Sequence, residues 1–302
     1  MSRQRQGGMA LVMVLLILAV AVAVCMALIS SQQRQIQSQV QQREHRQAWQ
    51  LALEGEARAL HALAAQATQA TSGPAAAGLS GQLVQGPMQL DIAVDDLSAR
   101  LNLNALISAP GQVDAAGLAR LQRLLQLLDL APDLAWVIVA RLDPAALPAQ
   151  GPRQPRLPAS GPLADVSELR ALPGIDASAY ARLQPFVSTL PAAVGLNVNQ
   201  AQAVVLASLA DGLGASGGQQ LLQARPARGH RSVDAFVAQP LLARYRVAAD
   251  GLQVAGQAFE IHSRVRWADG ALQLSSIVVH DAGRLRVSSR QLRPVMAIEE
   301  IP

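Results

Sequence analysis

The chain has 302 residues, a formal net charge of +4 and a single cysteine, and aromatic residues make up 3% of it. This length favours two domains, while one cysteine excludes an intrachain disulfide framework and a cysteine-based metal site. The charge is modest for the size and its arginines are spread along the chain. The composition therefore favours a solvated surface over a nucleic-acid-binding one.

An uninterrupted apolar stretch, residues 9–29, follows a short polar and basic head. As a helix it would extend about 31 Å, which matches the roughly 30 Å hydrocarbon core of a bilayer. A secretory signal peptide has a shorter apolar core and a small-residue cleavage site. Arg3 and Arg5 precede the stretch and Arg34 is the first charge after it, so the positive-inside rule favours a cytoplasmic N-terminus. The sequence predicts a single membrane-spanning segment over residues 9–29.

The junction between the head and the apolar stretch carries a more specific signal. The polar head ends at Gly7 and Gly8, and the apolar run begins at Met9. This junction resembles the leader of the type IV prepilin and pseudopilin family, in which a dedicated inner-membrane prepilin peptidase cuts after the glycine. The new N-terminal residue is then N-methylated. The resemblance implies a leader of residues 1–8 and cleavage between Gly8 and Met9.

Met13 departs from the usual pattern of that family. Most pilin-like subunits carry a glutamate at the fifth residue after the cut, and this chain has Met13 there. A carboxylate in a bilayer or fibre core is costly unless it is paired, and in those families it is taken to pair with the N-terminal amine of a neighbouring subunit. The K-type minor pseudopilin of type II secretion (GspK family), placed at the fibre tip, is known for lacking this acid. The head of the chain therefore resembles this one subfamily.

The segment after the apolar stretch is expected to continue the same helix outside the membrane. Residues 30–72 contain no proline and carry a sparse apolar stripe, and Gly55 is the expected position of a bend. The segment from Thr71 to Gly86 is rich in Gly, Ser, Ala and Pro, which predicts a loop.

Two regions show the alternation of apolar and polar residues that is typical of strands. Met88–Val94 and Leu97–Leu103 flank Asp95 and Asp96, which predicts a β-hairpin. From Phe259 onward, three alternating runs separated by turn residues predict a three-stranded antiparallel meander. Because two strands are unstable alone, we expect residues of about 86–104 and 242–293 to form one sheet.

The signals between these two regions are almost all helical. Four positions are predicted helix caps: Asp114, Asp165 with Glu168 in a capping box, Asp176, and Asn199 before a helix over residues 200–210. The predicted fold class is α+β, with a pilin-like long N-terminal helix packed on an antiparallel sheet and a large inserted all-α domain. The expected head comprises residues 73–104 and 242–302, and the insert residues 105–241. The Asn-Leu-Asn run at 102–104 also resembles K-type pseudopilins.

The insert contains elements that resemble helix-hairpin-helix motifs. Residues 165–183 resemble a complete motif, and residues 196–209 resemble the first helix of a second copy. In DNA-binding members the amides of a Gly-x-Gly hairpin contact phosphate, whereas here Asp176 replaces the second glycine after Gly174 and would repel phosphate. A structural hairpin is the leading interpretation and no nucleic acid is expected. An inner-membrane-anchored helix-hairpin-helix protein that binds DNA is the alternative.

The sequence predicts no enzyme. Its five histidines show no metal-ligand spacing, and neither a Gly-x-Ser-x-Gly elbow nor a P-loop occurs. Asp91, Asp95 and Asp96 are weak candidate ligands for calcium, which some K-type pseudopilins are thought to hold. The alternative is that these aspartates are ordinary turn residues, and no ligand set is assigned.

The resemblance implies a minor pseudopilin at the tip of the type II secretion pseudopilus. Such a subunit is needed for pseudopilus initiation and assembly, and for export of folded proteins from the periplasm across the outer membrane. The implied partners are other minor pseudopilins in a tip complex, the major pseudopilin, the prepilin peptidase, the inner-membrane assembly platform and, as a candidate, exported cargo. The expected location is the bacterial inner membrane, with one span and a periplasmic main domain.

Overall fold

The computed structural model describes residues 6–68, 79–147, 160–281 and 284–294. Within the first helix, side chains are described for residues 13–24, 26, 39 and 41–65. The helices are α1 (Gln6–Thr68), α2 (Ala115–Leu127), α3 (Leu134–Leu142), α4 (Ala177–Leu183), α5 (Ala203–Ala207), α6 (Gly214–Gln223), α7 (Val233–Val237) and α8 (Pro240–Tyr245).

Strands of very different length accompany these helices. The strands are β1 (Ser80–Gln85), β2 (Met88–Asp96), β3 (Leu101–Asn102), β4 (Ile107–Ala109), β5 (Gln112–Val113), β6 (Val187–Ser188), β7 (Leu196–Asn197), β8 (Leu252–Gln253), β9 (Ala258–Trp267), β10 (Gly270–Asp281) and β11 (Arg284–Pro294). Short 3-10 helices span Leu97–Ala99, Leu103–Leu106, Pro144–Ala146, Val166–Ala171 and Gln184–Phe186.

The main sheet has five antiparallel strands in the order β1-β2-β9-β10-β11. The predicted three-stranded meander is confirmed as β9, β10 and β11. The predicted closure of the sheet across the inserted helices is confirmed as well, because β2 pairs with β9 from Gln89 opposite Arg266 to Asp96 opposite Phe259.

The predicted hairpin of residues 88–94 and 97–103 is wrong. The hairpin partner of β2 is β1, which lies in the segment that we expected to be a loop, and Leu83 is paired with Leu90. The residues after β2 form two 3-10 turns, and the two-residue strand between them, β3, pairs with β6 and not with β2. Asp96 accepts a hydrogen bond from the Ser98 amide and Asn102 accepts one from the Asn104 amide. Such side-chain caps offer the backbone an alternative to a sheet ladder, so they favour turns here.

One face of α1 packs along the sheet. Ala48, Leu51 and Ala52 share an apolar cluster with the start of β2 and the end of β9. Ala59 and Leu63 share a second cluster with the end of β2 and the start of β9. Because the chain leaves the sheet at the end of β2 and returns at the start of β9, the inserted helices lie at the C-terminal end of α1. That end of the sheet is remote from residues 13–26.

Gly55 has a packing role where we expected a bend. The helix α1 continues through it, and a Cβ atom at this position would lie 2.9 Å from Ser263 Oγ and 3.0 Å from Leu90 Cδ1. The missing side chain therefore lets the helix backbone approach the sheet closely.

The inserted helices form two units with separate apolar cores. The first unit, residues 101–147 and 160–190, has a core built mainly from α2, α3 and α4. The second unit, residues 196–254, has a core built mainly from α5, Leu221, Phe236 and Leu242. Each unit begins with a similar tetrapeptide, Leu-Asn-Leu-Asn at 101–104 and Leu-Asn-Val-Asn at 196–199.

Among the residues that the structure describes, no helix is long and apolar enough to cross a membrane. The predicted span, residues 9–29, lies partly outside the described side chains. The described side chains of residues 13–24 are all exposed.

Candidate functional site

Asp96 joins the sheet to the second unit of the insert. It is the last residue of β2, and 5% of its surface is exposed. Its Oδ1 accepts hydrogen bonds from the amide (2.9 Å) and the hydroxyl of Ser98, and its Oδ2 accepts one from Asn197 Nδ2 (2.7 Å). Every partner is a donor, so an acceptor-only carboxylate suits this position.

The same network holds the returning chain. Gln257, the residue before β9, donates its amide to Ser98 Oγ at 3.2 Å. A Cβ atom on Gly256 would lie 2.7 Å from Asp96 Oδ2, so only glycine leaves room for the carboxylate. Burial raises the pKa of Asp96, and the hydrogen bonds from Ser98 and Asn197 act in the opposite direction. Both connections between sheet and insert therefore meet at one buried carboxylate.

An asparagine-centred network closes the first unit. Asn104 Nδ2 donates to the carbonyl oxygens of Leu163 (3.0 Å) and Leu190 (3.1 Å), and its Oδ1 accepts from the Leu163 amide at 2.8 Å. Beside it, β3 pairs in parallel with β6. One side chain thus ties the start of the unit to its middle and its end.

Asn199 makes the equivalent bonds in the second unit. Its Nδ2 donates to the carbonyl oxygens of His230 (2.9 Å) and Val254 (2.8 Å), and its Oδ1 accepts from the His230 amide at 2.7 Å. Here β7 pairs in parallel with β8. The prediction that Asn199 caps a helix over residues 200–210 is wrong, because the helix there, α5, begins at Ala203 and Asn199 is engaged elsewhere.

The other predicted caps are present. Asp114 accepts from the amides of Ala116 and Gly117 at the start of α2, and Asp176 accepts from the Ala179 amide at the start of α4. Asp165 and Glu168 form the predicted capping box, but the helix that they begin is a 3-10 helix.

The second unit contains a Gly-x-Gly hairpin that we did not predict. Gly212, between α5 and α6, and Gly214, the first residue of α6, have φ values of +74° and +61°. The Tyr245 hydroxyl donates to the Gly212 carbonyl oxygen at 3.1 Å. A Cβ atom on Gly218 would lie 2.1 Å from the Ala203 carbonyl oxygen, so α6 packs tightly on α5. These contacts give the hairpin a packing role, and the Gly-Leu-Gly spacing was the available signal.

The three candidate calcium ligands are engaged in different directions. Asp91 forms an ion pair with Arg266 at 2.9 Å, and Asp95 Oδ2 lies 3.4 Å from His262 Nε2 on the same face of β2. Asp96 is on the opposite, buried face. Among the described residues, no group of three or more His, Cys, Asp or Glu side chains is arranged to hold a metal ion. The structure therefore does not bring these aspartates together as a ligand set.

Asp95 belongs to a small network on the outer face of the sheet. The hydrogen bond from His262 lowers the pKa of Asp95, and the charges of His262 and Arg100 act in the same direction while burial opposes them. Asp95 lies directly opposite Glu260 in the β2–β9 register, and His262 Nε2 lies 3.7 Å from Glu260 Oε2. The imidazole thus separates two neighbouring carboxylates.

The predicted processing residues lie at the start of α1. The helix includes Gly8 and Met9, whose side chains are outside the described residues. The Met13 side chain is 67% exposed.

The architecture defines a class. A long N-terminal helix packed on an antiparallel sheet, with two helical units inserted between neighbouring strands, is the arrangement of a pilin-like α+β subunit with an enlarged head. Two family models of type II secretion system (T2SS) protein K match the chain, one over residues 99–192 and the other over residues 196–255. Together they make up about half of the chain and coincide with the two units. The chain belongs to the type II secretion system protein K family.

Similar proteins agree with this assignment. The chain is 47% identical over 93 residues to type II secretion system protein K of Klebsiella pneumoniae, a match that covers 29% of this chain and 28% of the relative. It is 30% identical over 219 residues to protein K of Pseudomonas aeruginosa, covering 68% of this chain and 65% of the relative. The matched regions thus span less than two thirds of either relative.

A solved structure has the same fold. One chain in the crystal structure of the GspK-GspI-GspJ complex from the enterotoxigenic Escherichia coli type 2 secretion system matches with a TM-score of 0.69 and 25% sequence identity. The match covers 84% of this chain and 98% of that chain.

Proposed function

We propose that this protein is the minor pseudopilin at the tip of a type II secretion pseudopilus. In this role it initiates pseudopilus assembly and is needed for export of folded proteins from the periplasm across the outer membrane. The observation that carries the proposal is the position of the insert, which lies at the end of the sheet remote from the exposed apolar residues 13–24 and 26.

The insert would sterically prevent another subunit from stacking on this head. In a fibre whose subunits associate through their apolar N-terminal helices, heads stack along the fibre axis. The two inserted units occupy the end of this head where a further head would stack, and the Asp96 network fixes them there. A subunit of this shape fits at the tip and at no lower position.

The N-terminal region suits the same role. Residues 9–29 are proposed to span the inner membrane once, with a cytoplasmic N-terminus and a periplasmic main domain. The prepilin peptidase cleaves after Gly8, and Met9 becomes the N-methylated first residue. Met13 has no carboxylate to pair with the N-terminal amine of a neighbouring subunit, so the chain needs no subunit above it.

The proposed partners follow from the family. The similar structure contains GspK with GspI and GspJ, which supports other minor pseudopilins as the partners of this chain. The major pseudopilin, the assembly platform and exported cargo are further proposed partners. We also propose the division into a head of residues 73–104 and 242–302 and an insert of residues 105–241. We propose no nucleic-acid ligand, since the hairpin at Gly212 makes packing contacts. We also propose no catalytic activity.

Purification from membranes tests this proposal. The full chain should co-purify with small pilin-like subunits, and mass spectrometry should find N-methylated Met9 as its first residue. Replacing Gly8 with phenylalanine should block processing, whereas Met13→Glu should be tolerated or mildly harmful. An intact Met1 terminus in the wild-type protein, or normal processing of the Gly8→Phe chain, would contradict the proposed peptidase site.

A further inference from the structure

The apolar contact between the two units of the insert is narrow. Their cores are separate, with Phe186 of the first unit packing against both and Val204 of the second packing against the first. A short connection, residues 191–195, joins the units. Two bodies with separate cores and a short linker can change their relative angle unless other contacts prevent it.

Two arginines of α2 cross this boundary. Arg120 Nη2 donates to the Asp250 carbonyl oxygen at 2.8 Å. Arg123 Nε donates to the Ser208 carbonyl oxygen at 2.7 Å, and its Nη2 donates to that of Leu209 at 3.2 Å. Residues three apart lie on the same face of a helix, so one face of α2 is hydrogen-bonded to two separate places on the second unit. These places are the end of α5 and the turn before β8.

These hydrogen bonds fix the relative orientation of the two units more than they add to the stability of the fold. Arg120 is 5% exposed, and burial lowers the pKa of both Arg120 and Arg123. Their hydrogen-bond acceptors among the described residues are backbone carbonyls, so no carboxylate at hydrogen-bond distance compensates the loss of hydration. A desolvated charge of this kind adds little net stability compared with an apolar side chain. The planar guanidinium nevertheless fixes the direction of its bonds.

We propose that Arg120 and Arg123 are positioning residues that set the angle between the two units, so that the insert behaves as one rigid body. A third contact, from Asn197 of the second unit to Asp96 of the sheet, fixes that body to the head. The inference rests on these contacts alone and does not require the proposed tip location.

The chain offers control variants, because other arginines donate to backbone carbonyls inside one unit. Arg182 Nη1 donates to the Leu128 carbonyl oxygen at 3.2 Å within the first unit. Arg225 Nη2 donates to the carbonyl oxygens of Val198 (3.0 Å) and Ala201 (2.6 Å) within the second. Removing either guanidinium should leave the angle between the units unchanged.

Electron-electron distance measurements between two spin labels test the proposal on the full chain in detergent. Ser178→Cys in α4 and Gln219→Cys in α6 place labels at exposed positions, one on each unit, in a Cys25→Ser background. The parent chain should give one narrow distance distribution. Arg120→Leu with Arg123→Leu should at least double its width, while Arg182→Leu should leave it unchanged.

Hydrogen exchange of the core amides of each unit distinguishes a variable angle between the units from unfolding of one of them. The proposal requires protected α2 and α5 amides in the double variant, together with the broadened distances. An unchanged distance distribution would overturn it, as would a broadening that Arg182→Leu reproduces. If the double variant fails to fold, the same distance measurement on Arg123→Leu alone tests the proposal. Arg123 is only half-buried, so its replacement should disturb the fold less.

Discussion

Glu56 of α1 and Arg290 of β11, 234 residues apart, form a two-bond ion pair between the helix and the sheet. Arg290 Nε donates to Glu56 Oε2 at 2.8 Å, and Arg290 Nη2 donates to Oε1 at 2.7 Å. The Ser276 hydroxyl donates to the same carboxylate. The Glu56 side chain is 4% exposed and that of Arg290 is 50% exposed. The pair therefore fastens the edge strand of the sheet to the long helix.

The two halves of this pair should differ in their effect on stability. Arg290→Ala leaves a buried carboxylate without its ionic partner and with only the Ser276 hydrogen bond, which we expect to lower the free energy of unfolding by about 3–5 kcal/mol. Glu56→Gln leaves an arginine that water can reach, and we expect it to lower the free energy of unfolding by only about 1–2 kcal/mol. Denaturant titration of the full chain in detergent measures both. Equal losses, or a larger loss for Glu56→Gln, would show that Glu56 is not buried as described.

The same pair should make stability depend on pH. Hydrogen bonding to Arg290 is the largest cause that lowers the pKa of Glu56 below its ordinary value of 4.5. A group whose pKa is depressed on folding contributes stability above its unfolded pKa and loses it as the pH falls through its folded pKa. The stability difference between wild type and Glu56→Gln should therefore be constant above about pH 4.5 and shrink below it. Because Asp95 and Asp96 titrate in both proteins, the difference isolates Glu56; a constant difference down to pH 2.5 would contradict the assignment.

Gly55 should be intolerant of even a methyl group. Gly55→Ala gains about 0.5–1 kcal/mol of helix propensity, but overpacking against Ser263 and Leu90 should cost about 1–3 kcal/mol. We expect a net loss of stability in thermal unfolding. Among the residues that the structure describes, the buried Ser263 Oγ has no hydrogen-bond partner. Ser263→Ala alone should therefore be neutral or stabilising, and it should recover part of the loss when combined with Gly55→Ala. A double variant no more stable than Gly55→Ala would place the clash elsewhere.

The two asparagine networks predict local effects. Asn104→Ala leaves the Leu163 amide and two buried carbonyls without their partner, and Asn199→Ala does the same at His230 and Val254. Each substitution should cost about 1–3 kcal/mol. Hydrogen exchange should speed up in the first unit for Asn104→Ala and in the second for Asn199→Ala. Ser108→Ala, at an exposed position, is the control, and a uniform increase over both units would contradict the separation of the cores.

Much of the fold is predictable from local sequence. The alternation after Phe259 predicts the meander, and Asp114 and Asp176 mark helix starts because their carboxylates meet amides two or three residues later. The segment after Asp96 was predicted wrongly because Leu97, Ala99, Leu101 and Leu103 alternate with polar residues as in a strand, yet the three leucines are buried around capped turns. The pairing of β1 was missed because most of its side chains are exposed at the sheet edge and carry no apolar pattern.

The contacts that organise the candidate site are less accessible from sequence. Asp96 could be singled out as an acidic residue, but its partner Asn197 lies 101 residues away. Arg120 and its acceptor at Asp250 are 130 residues apart, and a backbone carbonyl leaves no mark in the sequence. Local patterns predict capping and periodicity, whereas partners of this kind are decided by how the units pack.

The position of the protein in the pseudopilus tests the central claim most directly. A gold particle coupled to the Ser178→Cys chain, on the exposed surface of the first unit, can be located by electron microscopy of assembled pseudopili. We predict one particle at one end of each filament, because the insert leaves no room for a head beyond it. Particles distributed along the filament would contradict the tip assignment.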